Sequence, residues 1–110
     1  MTHHESQPDP DAVLLRRLVG GDVAAEAEVL ASVADTTSVG VLVAAAVLTR
    51  SAAPLARAAT LAAGPRERQL VVLARAVVEG ADELFDGLVR DHLASYPDHL
   101  MASWIATRTQ

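Results

Sequence analysis

The sequence predicts an all-α protein, and three observations carry that expectation. Apolar residues recur at helical spacing, helix-starting and helix-stopping residues punctuate the chain at short intervals, and no stretch alternates with period two for long enough to make a strand. The composition agrees. Half of the 110 residues are apolar (51%), yet only Phe85, Tyr96 and Trp104 are aromatic. A core of Ala, Val and Leu suits closely packed helices better than a sandwich or barrel, and the length suits one domain of modest core.

Residues 1–9 offer nothing to bury and read as a flexible tail, with residues 10–110 as a single domain. Pro10 can occupy the first turn of a helix over 10–19 that carries Val13, Leu14, Leu15, Leu18 and Val19 and ends at Gly20-Gly21. Asp22 can cap a second helix over 22–34, with Val23, Ala27, Leu30, Ala31 and Ala34 as its apolar face. The turn Asp35–Ser38 is rich in capping side chains and precedes a third helix over 38–49. That helix is apolar nearly all round, so it should be the most buried.

Ser51 can cap a fourth helix over 52–63, where Pro54 is tolerable in the first turn. Gly64-Pro65 opens a fifth over 65–79, with Leu70, Leu73, Ala74, Val77 and Val78 at helical spacing; Val71, Val72 and Ala76 widen the stripe, and Gly80 ends it. Asp82 can cap a sixth over 82–96, with Leu84, Phe85, Leu88, Val89, His92, Leu93 and Tyr96 on one face. Pro97 stops it, Asp98 can cap a seventh over 98–108, and Leu100, Met101, Trp104 and Ile105 line that last apolar side. Short connections make successive helices antiparallel neighbours, about seven in all.

Leu30-Ala31-Ser32, Leu61-Ala62-Ala63 and Leu93-Ala94-Ser95 recur near the ends of the second, fourth and sixth helices. The helices then pair as three hairpins plus a final helix. In "GADELFDGLVRDHLASYPD", Gly80 to Asp98, a glycine opens the second helix of a pair and a proline closes it. This arrangement resembles the tetratricopeptide-like family of helical repeats in a divergent form, since Phe85 and His92 stand where that family usually has small residues. The resemblance implies a helix-hairpin array, a scaffold that binds a partner, and no catalytic residues.

Several function classes are disfavoured. With no cysteine there is no disulfide framework or thiolate metal site. The amino-terminal residues lack a signal-peptide pattern, and the longest apolar run, Val39–Leu48, is too short to span a bilayer, so we expect a soluble cytoplasmic protein without membrane partners. A net charge of −5 argues against nucleic acid as a partner. No nucleophile motif or phosphate loop occurs, so the chain reads as no enzyme, with no cofactor.

Two features suggest binding. Arg50, Arg57, Arg66, Arg68 and Arg75 stand against Glu67 alone between two acidic segments. In a linear array they would form a basic band for an acidic peptide or protein partner. The apolar face Leu100, Met101, Trp104 and Ile105 can pack inward or form an interface, including a homodimer's. The repeated Asp-His-Leu triplet puts His92 beside Asp91 and His99 beside Asp98, a conceivable metal or small-molecule site. Pro97 breaks the helix between them, so seven-residue spacing does not place them on one helix face; Asp98 reads as a cap, His92 as a packed side chain, and no metal site is assigned. His3-His4-Glu5 reads as tail.

Overall fold

The computed structural model describes residues 9–96 and 99–108, apart from the side chain of Asp82. These form α1 (Pro10–Val19), α2 (Val23–Ser32), α3 (Val39–Thr49), α4 (Ala53–Leu61), α5 (Pro65–Glu79), α6 (Asp82–Ser95) and α7 (Leu100–Arg108), with no strand among the described residues. The fold is all-α. Among the described residues no helix is long and apolar enough to cross a membrane.

Local chemistry sets most helix ends. Asp22 accepts from the Ala24 N–H at 2.9 Å, and the Ser38 hydroxyl accepts from the Val41 N–H at 3.2 Å. Each satisfies a donor that the first helical turn leaves without a partner. Asp9, placed in the tail by the sequence reading, caps α1 through the Asp11 N–H. The start of α6 differs from expectation: Asp82 already lies inside the helix, and Ala81 precedes it. The cause is the close of α5, where Gly80 turns left-handed (φ 73°) and the Ala81 N–H returns to the Ala76 carbonyl, leaving no residue to spare. Arg50 closes α3 with the same left-handed turn (φ 54°), a conformation a side chain resists.

Packing centres on α3, which touches α1, α2, α4, α5 and α7 and buries Val39 and every residue from Val41 to Val47. The expected hairpin partners do touch: α1 with α2, α3 with α4, and α5 with α6. The final helix departs from a linear array. It packs on α5, α6 and α3, and also on α1, bringing the last helix back to the first.

Three apolar faces differ from their sequence expectation. Helix α2 buries Ala25 and Val29, while Val23 and Leu30 are exposed. An alanine-rich helix offers two similar faces, and here Arg17 of α1 selects one by gripping Asp22 and both oxygens of Glu28. Those hydrogen bonds hold both carboxyls below their usual range. On α5, Val71 and Ala76 are buried but Val72 is exposed, because it shares the outer face with Arg68 and Arg75 at i−4 and i+3. On α6, Phe85 is buried and Leu84 exposed.

Candidate functional site

Helix α6 presents His92 inward, as expected from its apolar neighbours. At Tyr96 the backbone leaves the helix (φ −133°, ψ 69°), and the His99 N–H returns to the Tyr96 carbonyl at 3.1 Å. This tight corner carries the chain into α7 and turns His99 back against His92. Pro97 and Asp98, the expected stop and cap, lie outside the described residues, as do His3, His4 and Glu5.

The two imidazoles touch, with Nε2 of His92 2.5 Å from Nδ1 of His99 and ring centroids 4.8 Å apart. Behind them Gln69 of α5 presents Oε1 to Nδ1 of His92 at 2.9 Å. An amide oxygen only accepts, so Nδ1 of His92 carries the proton. Nε2 of a neutral His92 then accepts, and Nδ1 of His99 donates to it. The remaining nitrogen, Nε2 of His99, carries a lone pair and has no hydrogen bond among the described residues. No buried side-chain N or O atom among the described residues lacks a partner, and His99 lines an accessible cleft.

Both rings are held neutral. Burial lowers the His92 pKa, aided by the nearby Arg66 charge. Burial first, then Arg66 and His92, push His99 down to about 4. The Arg66 guanidinium stands 5.9 Å over the Tyr96 ring, whose centroid is 5.0 Å from that of His92. Metal chemistry is poorly served: both His92 nitrogens are engaged, leaving one free imidazole lone pair, whereas zinc takes three or four protein ligands. No group of three metal-ligating side chains occurs among the described residues.

The pair separates two concavities. One, about 370 Å³, is a groove between α5 and α6 lined by Gln69, Val72, Leu88, Asp91 and His92. The other is an end cleft of about 480 Å³. It gathers the beginnings of four helices: Asp9 to Ala12 of α1, Ser38 to Gly40 of α3, Arg66 and Glu67 of α5, and His99 and Met101 at α7. A side pocket of about 270 Å³ adjoins it, sharing Ala12, Leu15, Arg66, His99 and Met101. Gly40 lets α1 approach closely here, since a β-carbon on it would lie 2.5 Å from Cδ1 of Leu15.

The sequence-derived arginines are dispersed. Arg50 donates to the Val77 carbonyl at 3.2 Å, near the end of α5 opposite Arg66. Arg57 clamps the carbonyls of Val33 and Thr36 at 2.6 and 2.7 Å, tying α4 to the turn before α3. Arg75 stands 3.9 Å from Glu79. Arg66 lines the end cleft, and Arg68 is exposed on the outer face of α5. Of the four proposed interface residues, Met101, Trp104 and Ile105 are buried within the chain and only Leu100 is exposed. Asp91 faces the α5–α6 groove rather than the end cleft.

Sequence reasoning missed Gln69 and the contact between the histidines. Gln69 lies 23 residues from His92, beyond any local pattern. The signal for the pair was the corner itself: an inward residue one turn before a tight helix–helix joint and another at the next helix's start face each other. No family model matches the chain, and no curated protein or solved structure matches it.

Proposed function

We propose that this chain is a non-enzymatic helical interaction module that binds an acidic, partly apolar peptide segment of a protein partner along the groove between α5 and α6. The observation that supports this reading is Val72: it is 48% exposed in a helix otherwise rich in buried apolar residues, and it lines that groove. Arg68 and Arg75 flank it on the same helix face. Leu88 supplies an apolar group on the opposite wall. An apolar partner side chain would cover Val72 and Leu88 while its acidic neighbours meet the two arginines, the division of labour common at helix-lined grooves.

Arg50 and Arg57 are already spent on backbone carbonyls, so they drop out of the partner-binding set. The homodimer reading gains nothing comparable, because Trp104 is only 7% exposed.

Affinity capture from native cell extract with two baits tests the proposal. The Arg68→Glu/Val72→Ser bait should lose at least about ten-fold of the partner retained by the wild-type chain. Equal recovery by both baits would remove the groove from consideration.

A further inference from the structure

The peptide reading makes no use of the end cleft, and the cleft has a chemistry of its own. Its walls are apolar where Leu15, Val19, Leu70 and Met101 line it and its adjoining pocket. Its volume lies within the range of small-molecule sites, about 300–1,000 Å³. Arg66 and His99 are among the polar side chains that interrupt those walls, with Arg16 in the adjoining pocket. Arg66 has no ion-pair partner among the described residues. His99 is only 8% exposed, and its Nε2 lone pair has no hydrogen bond there. An acceptor on the cleft wall without a partner among the described residues favours a ligand that brings a donor.

The charge around the cleft selects further. Four helix starts turn their positive ends toward it. Three acids answer them, but two are engaged as caps: Asp9 accepts from the Asp11 N–H and Glu67 from the Ala63 N–H. That leaves Asp11, which lines the same cleft as Arg66; neither has an ion-pair partner among the described residues. Among the described residues, Arg66 is the cation of the cleft itself, alongside Asp11, with Arg16 in the adjoining pocket; an anion held at Arg66 with that carboxylate in the same cleft is better singly than doubly charged.

We infer that the end cleft binds a small monocarboxylate with an apolar body and a hydroxyl group. The carboxylate pairs with Arg66, the body lies against Leu15 and Met101, and the hydroxyl donates to Nε2 of His99. This site is independent of the peptide groove, and either reading can fail without the other.

The test is a titration of the full chain, followed by calorimetry and by nitrogen-15 spectra of the histidine rings. Four probes separate the requirements: 3-(4-hydroxyphenyl)propionate carries all three features, 3-phenylpropionate lacks the hydroxyl, 3-(4-hydroxyphenyl)propanol lacks the carboxylate, and inorganic phosphate lacks the apolar body. The first should bind saturably and shift the His99 Nε2 resonance toward that of a hydrogen-bonded acceptor, and each of the others should bind about ten-fold more weakly or less. Arg66→Gln, at an exposed position, should weaken the first probe by about ten-fold or more. Ala12→Leu, which narrows the cleft without touching either polar group, should abolish binding while helicity is kept. No saturable shift by about 10 mM, equal affinity for phosphate, or undiminished binding in Arg66→Gln would each overturn the inference.

Discussion

Helix α3 and the corner between α6 and α7 are both buried, yet they are held by opposite means. The inside of α3 is Val, Leu and Ala from Val41 to Val47, with no side-chain group to satisfy. The corner buries two imidazoles that stay in place because each nitrogen facing protein has a partner of the right polarity. Burial of hydrocarbon is indifferent to pH and intolerant of changed volume. A buried hydrogen-bonded pair is the reverse: its volume can be copied by other rings, but its protonation cannot change without cost.

The largest expected effect tests the α3 side. Leu42 is fully buried, so Leu42→Ala should lose about 3–4 kcal/mol of unfolding free energy, equally at pH 7 and pH 5. Urea denaturation at both values checks it, and a loss that varied with pH would break the contrast.

The next tests the corner. His99 is depressed from 6.5 to about 4 in the folded chain, so between those values the unfolded chain holds more protons. Its contribution to stability is therefore complete above pH 6.5 and is lost progressively as pH falls toward 4. The loss is on the order of 3 kcal/mol for His99 alone. The double variant His92→Phe/His99→Phe replaces both partners by rings of similar shape; it should flatten this slope and be at least as stable as wild type at pH 5. A slope that survives in the variant would assign the acid sensitivity elsewhere.

Two smaller effects sharpen the comparison by probing regions of neither kind. Arg57→Ala should cost about 1 kcal/mol by freeing two exposed carbonyls, seen as a lower urea midpoint with unchanged slope. Gly80→Ala should cost about 1 kcal/mol because the turn after α5 is left-handed, measurable as a few degrees in Tm.

The same contrast explains what was legible in the sequence. The bounds of α1 and α5 follow from Pro10, Gly20, Pro65 and Gly80, whose effects are local and need no tertiary context. The depth of α3 was legible because a helix apolar all round has no alternative to burial. The buried face of α2 was not, since alanine does not distinguish two faces and the choice lies with Arg17, on another helix. The site was legible only in its parts. His92 and His99 stand out, but Pro97 breaks the helix between them, and helix geometry is the one local rule that relates residues seven apart. A corner rejoins what a broken helix separates. Gln69, the third member, has no sequence mark at all.

Gln69 gives the cleft an unusual route of change. It sits on the exposed side of the histidines, yet its amide decides which ring nitrogens carry hydrogen. Turned over, it would donate to Nδ1 of His92; Nε2 of His92 would then donate to Nδ1 of His99, and the cleft would meet an N–H in place of a lone pair. A glutamate at this position would fix the first state and a lysine would favour the second. Drift at one solvent-facing codon could therefore invert what the cleft accepts, with every residue lining that cleft unchanged.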